Sequence, residues 1–125
     1  MTSNAYSTYS ANHLAIENNE KMIEMLYEGI LRFCSRAKKA IEKDDVEQKC
    51  INIHKASVIF VELLNYIDFS QGDVSYYLQG LYSHQISTLS KCMIDADTAK
   101  LDEVMKVASG LLEAWREVNN LNLNN

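Results

Sequence analysis

An all-α fold is expected of this chain: an antiparallel up-down four-helix bundle with a flexible N-terminal arm. Three observations point to it. Apolar residues recur at helical spacing over four long segments. The links between the segments are short and hold capping and turn residues, as between antiparallel neighbours. The chain also has no proline and four glycines, too few for the many tight turns of an all-β fold.

Residues 1–17 are rich in Ser, Asn and Thr and carry no helical stripe, so they read as the arm. Tyr6, Tyr9, Leu14 and Ile16 are apolar islands in it. Residues 18–118 form the expected bundle. Its first helix starts near Asn18, whose side chain can accept from the free N–H groups of a first turn, with Glu20 at the positive end of the helix dipole. It ends near Lys43. From Lys21 to Ile41 this helix carries two apolar stripes. One is Met22, Leu26, Phe33, Ala37 and Ala40; the other is Ile23, Tyr27, Ile30, Cys34, Ala37 and Ile41. Two stripes imply two neighbours.

The turn Lys43-Asp44-Asp45 leads into a second helix, with Asp45 and Gln48 spaced as in a capping box. It is expected to reach about Asp68, before a turn at Ser70-Gln71-Gly72-Asp73. Gly72 suits a left-handed residue past a helix end and Asp73 the next N-cap. The third helix is expected over Val74–Ile94. The fourth is expected over Ala99–Val118, with Asp97 or Thr98 as its cap. Residues 119–125 alternate Asn and Leu and read as a frayed tail.

The fourth helix has the simplest pattern, a 3-4 seam of Leu101, Val104, Ala108, Leu111, Trp115 and Val118. The second is apolar beyond its own needs. Val46, Cys50, Ile53, Phe60, Leu64 and Ile67 supply a core stripe, yet Ile51, Val58, Ile59, Val61, Leu63 and Tyr66 are apolar too. In the third, Val74, Leu78, Leu81 and Cys92 form a seam that Tyr77, Tyr82, Ile86, Leu89 and Met93 widen. One explanation is a broad stripe in an unevenly packed bundle. The other is a groove on the second and third helices for a partner's amphipathic segment.

Several functions are excluded or disfavoured. A net charge of −5 argues against nucleic acid and anionic membranes, both of which reward a basic surface. The longest uninterrupted apolar run is Val58–Val61, far short of the ~20 residues of a membrane span. No basic-then-apolar leader is evident. Cys34, Cys50 and Cys92 lie on apolar helical faces and read as thiols of a reducing cytoplasm. A di-metal bundle site needs Glu-x-x-His pairs, but Ile51 and Leu81 stand three residues before His54 and His84. Cys50 and His54 lie one turn apart without further ligands. No phosphate loop or Ser-His-Asp order is present. Neither a cofactor nor an enzymatic activity is expected.

The segment Met22-Ile23-Glu24-Met25-Leu26-Tyr27-Glu28-Gly29, then Phe33 and Ala37-Lys38, resembles the first-helix signature of the flagellin-specific export chaperones, the FliS family. Ala5-Tyr6 with Tyr9 is similar to that family's start. Gly110-Leu111-Leu112-Glu113-Ala114-Trp115-Arg116-Glu117 is similar to its Leu-x-x-x-Trp ending. Two departures are the replacement of Ser-Pro at the helix start by Asn18-Asn19 and a turn with Gly72-Asp73 where two glycines are common. The resemblance implies a cytoplasmic, non-enzymatic chaperone. It would bind the C-terminal segment of flagellin, prevent premature polymerisation and keep its client competent for export. It also allows a flagellar export gate component or a co-chaperone as a partner. The contact residues expected are Tyr6, Tyr9, Val58, Val61, Tyr66, Tyr77 and Tyr82. The alternative is a histidine phosphotransfer bundle with His54 in mid-helix. That family wants a Lys three residues later and then a Gly, where this chain has Ser57 and Val58.

Overall fold

A computed structural model of the chain describes the backbone of residues 5–124 and the side chains of residues 20–120. Four helices carry the fold: α1 (Ala5–Glu42), α2 (Val46–Asn65), α3 (Asp73–Asp95) and α4 (Thr98–Asn124). No strand occurs among the described residues. The side chains of the expected arm, Tyr6 and Tyr9 among them, lie outside the described residues.

Helix α1 lies between α2 and α4, α3 packs on α2, and a thinner seam joins α3 to α4. The two stripes of α1 are divided unequally. Ile23, Tyr27, Ile30, Cys34 and Ala37 are buried, whereas Met22, Leu26 and Phe33 are only half-buried along the α1–α2 side. Gly29 lies opposite Ile59 of α2. A Cβ there would come to 2.9 Å from Ile59 Cδ1, so the missing side chain permits the close approach.

The link after α1 behaves as its residues require. Asp45 Oδ1 accepts from the Gln48 backbone N–H at 3.1 Å and caps α2. Helix α2 ends at Asn65, earlier than expected. Asp68 explains the stop: its carboxylate accepts from Ser70 N–H and Ser70 Oγ, capping a one-turn 3-10 helix over Phe69–Gln71. These bonds hold the Asp68 carboxyl below its ordinary range. Gly72, at φ +75°, closes that turn and is itself the N-cap of α3, so Asp73 is the first helical residue. Asp97 Oδ1 accepts from Ala99 N–H and starts α4.

The core lies where Ile30 and Cys34 meet Ile53, Phe60, Leu63, Leu89, Leu101 and Val104. Three seams differ from expectation. On α3 the buried line is Ser75, Tyr82, Gln85, Leu89 and Cys92, while Val74 is exposed. On α2 it is Asn52, Ile53, Ala56, Phe60 and Leu63, while Val46 is exposed. On α4, Leu112 rather than Leu111 is buried, and Val118 is exposed. The drift follows from 3.6 residues per turn, which carries a strict 3-4 row off its neighbour over several turns. Cys34 and Cys92 are buried, Cys50 is half-buried, and all three are free thiols. Burial, then the nearby Cys92, pushes the Cys34 thiol up to about 12.

Candidate functional site

Four of the six surplus apolar residues at α2 emerge on the surface, while Leu63 is buried and Ile59 half-buried. Ile51, Val58, Val61 and Tyr66 are all exposed. Ile51, Val58 and Val61, seven and three residues apart, share one side of the helix, and Tyr66 follows just past its last residue, Asn65. Val58, Val61, Glu62, Asn65 and Tyr66 line a shallow depression there. The Tyr66 hydroxyl also reaches Met22 Sδ of α1 at 3.4 Å, which ties the upper end of this face to α1.

Tyr66 borders a second, deeper feature. At the end of the bundle where α1, α2, α3 and α4 meet the 3-10 turn, a cavity of about 330 Å³ opens to the surface. Ile23, Leu63, Ile67, Val74 and Leu78 give it an apolar wall, with Glu20 and Asp68 also among its lining residues. Tyr27 and Tyr82 are buried in its lining, their hydroxyls sharing a hydrogen bond at 2.5 Å. Burial raises the pKa of both phenols, so the pair remains neutral at ordinary pH. Phe60 packs behind Tyr82 with ring centroids 6.0 Å apart. Trp115 completes the wall from α4, and its indole N–H donates to the Glu20 carbonyl at 2.8 Å. Beside it, Arg116 Nε donates to Glu24 Oε1 at 2.6 Å, fixing α4 to α1. An apolar pocket with a few convergent polar groups accepts a large side chain of a partner better than it performs chemistry.

Of the expected contact residues, Val58, Val61 and Tyr66 are brought together on α2. Tyr77 is 69% exposed on α3 and does not line the cavity. Tyr82 is a correction: at 3% exposure it belongs to the core, because its hydroxyl has found Tyr27 and its ring has found Phe60. Sequence reasoning missed Val74, Leu78 and Trp115 as cavity residues. Phe69 and Tyr76, paired at 5.3 Å and both exposed, were missed as well. The Trp115-Arg116-Glu117 motif within α4 was the one available signal for Trp115.

No group of three potential metal ligands occurs among the described residues. No described helix is long and apolar enough to cross a membrane. His54 is exposed in mid-α2, and its neighbour Lys55 is turned to the Phe33 ring, 5.3 Å from the centroid.

Comparison with known proteins agrees with this arrangement. The family model described as flagellar protein FliS matches residues 2–122. The chain is 49% identical to the flagellar secretion chaperone FliS of Campylobacter jejuni, over 93% of this chain and 91% of that one. It is 32% identical to the flagellar secretion chaperone FliS of Bacillus subtilis, over 91% and 85% of the two chains. It is 29% identical to the flagellar secretion chaperone FliSB of Pseudomonas aeruginosa, over 78% and 79%. The chain therefore belongs to the FliS family of flagellar secretion chaperones, a family of chaperones and not of enzymes.

Proposed function

We propose that this chaperone binds the C-terminal segment of flagellin in the cytoplasm, prevents its premature polymerisation and keeps it competent for export. The observation that carries the reading is the exposed apolar face of α2, with Val58 and Val61 each close to half exposed. Through Tyr66 this face continues into the cavity at the bundle end. An amphipathic segment could lay its apolar residues along α2 and place one large side chain in the cavity. A client that folds on binding covers a large surface, and the cost of ordering it keeps release possible. Tyr77 of α3, and Tyr6 and Tyr9 in the first turns of α1, are proposed as further contacts.

The test is calorimetric titration of the chain with a flagellin C-terminal peptide. Binding is expected for the wild type. Val61→Glu is expected to weaken it about tenfold or more, since a charge would be buried against apolar surface at a cost above ~1.4 kcal/mol. Circular dichroism should show helical content unchanged. Failure of both the peptide and full-length flagellin to bind would sink the reading; unchanged affinity in Val61→Glu would remove α2 from the surface. The phosphotransfer alternative is not favoured, since the family relationship is to chaperones.

A further inference from the structure

Three of the twelve lysines and arginines of this acidic chain gather around one aromatic ring, and two more continue their row. Arg32, Arg36 and Lys39 fall at i, i+4 and i+7 of α1, one face by helical periodicity, and Lys43 follows in the turn just past Glu42. Lys55 meets them from α2. The Phe33 ring lies in their midst: the guanidinium carbons of Arg32 and Arg36 stand 5.0 and 5.7 Å from its centroid, and Lys55 Nζ stands 5.3 Å away. Three of the seven other cations have carboxylate partners among the described residues. Lys38 reaches Asp102, Lys100 reaches Asp95, and Arg116 reaches Glu24. Among the described residues Arg32, Arg36, Lys39, Lys43 and Lys55 form no ion pair with a carboxylate.

The patch has a recess beside it. A groove of about 210 Å³ between the end of α1 and the start of α2 is lined by Arg36, Lys39 and Lys43 on one side, and by Gln48 and Asn52 on the other. Asp45 also lines it, but its carboxylate is occupied in capping α2. Like charges one turn apart on a helix repel. An anionic ligand would relieve that repulsion, and cation–aromatic contacts only partly offset it.

We propose that this α1–α2 face docks an acidic segment of a partner protein. Its carboxylates would lie on Arg32, Arg36, Lys55, Lys39 and Lys43, and an apolar side chain would rest on Phe33. Charge complementarity names the partner's chemistry, and the geometry limits its size. From Arg32 to Lys43 the row extends about 16 Å along the helix axis, the length of a short peptide. A longer polyanion such as RNA would run onto the acidic remainder of the surface and be repelled. The surface is separate from the cavity lined by Trp115 and Tyr82, so this inference does not depend on which client fills that cavity.

The test uses a labelled helical peptide with Glu at every fourth position and a single central Leu, beside its Gln counterpart. The wild-type chain is expected to bind the Glu peptide about tenfold tighter than the Gln peptide, from several exposed charge pairs acting together. The difference should vanish as salt rises from about 0.05 to about 0.5 M, where the screening length falls to a few Å. The triple variant R32Q/R36Q/K39Q, all at surface positions of α1, should bind the Glu peptide about tenfold more weakly and keep its helical content. It should hold the flagellin peptide within about twofold of wild type, whether or not that peptide proves to be the client in vivo. Phe33→Leu should weaken the Glu peptide while leaving its salt dependence intact. Equal affinity for the two peptides, no binding at low salt, an unaffected triple variant, or equally tight binding of poly-uridylate would each overturn the proposal.

Discussion

Tyr27 and Tyr82 come from positions 55 residues apart and meet through a single hydroxyl contact in the core. Burial raises the pKa of both phenols, and it raises those of the Cys34 and Cys92 thiols as well. The native state therefore holds these protons at a pH where the unfolded chain has released them. The stability they contribute is fully present below the unfolded values, about 8.5 for Cys and about 10 for Tyr, and is lost as pH rises from there through the higher folded values. For each group protonated only in the native state the loss is about 1.4 kcal/mol per pH unit. Thermal denaturation under reducing conditions should show a midpoint that is flat from about pH 7 to about pH 8 and falls above about pH 9. Cys34→Ala should make that fall shallower, because the Cys34 thiol keeps its proton to about 12.

The helices differ in how plainly their faces could be read. The cap of α2 was legible because Asp45 and Gln48 stand at the spacing that the backbone geometry demands. Replacing Asp45 by Ala should cost about 1 kcal/mol in urea unfolding, by leaving a first-turn N–H without its acceptor. A loss near zero would mean that water serves the N–H equally well. The seam of α3 was not legible, since Ser75, Gln85 and Thr88 are buried polar residues that no hydrophobic pattern marks. Two of them satisfy themselves locally: Ser75 Oγ donates to the Asp68 carbonyl and Thr88 Oγ1 to the His84 carbonyl. Tyr82 was misplaced for a related reason. A tyrosine is equally suited to a wet surface and to a core that offers its hydroxyl a partner, and that partner lies on another helix. The exposed face of α2 was legible in kind, because more apolar residues were present than one packing stripe can use.

At the scale of the molecule, the two ends of the bundle differ. At the end near the 3-10 turn, the wall between α1 and α3 is incomplete, and Phe69, Val74, Tyr76 and Tyr77 stand exposed around the start of α3. Hydrogen exchange should therefore be fastest, among the described helices' interiors, over Asp73–Leu78. It should be slowest over Ile53–Phe60 and Ile30–Ala37, whose inward side chains are fully buried. Saturation with a flagellin peptide should slow the first of these segments more than the second. This cavity could not have been read from the chain. It exists only because residues as distant as Ile23, Leu63, Val74 and Trp115 converge without closing. The basic cluster around Phe33 was hidden for the same reason, since Lys55 joins it only through the α1–α2 packing.

Trp115 is the single tryptophan of the chain, and it stands in the cavity wall with its indole N–H held by the Glu20 carbonyl. The molecule thus carries one indole fluorophore, placed where an arriving side chain would displace water and alter the polarity around the ring. Its emission colour and quenching by iodide turn occupancy of the cavity into an optical signal from unlabelled protein. A ligand that instead docks only at the basic face, on the far half of α1, would leave that signal unchanged.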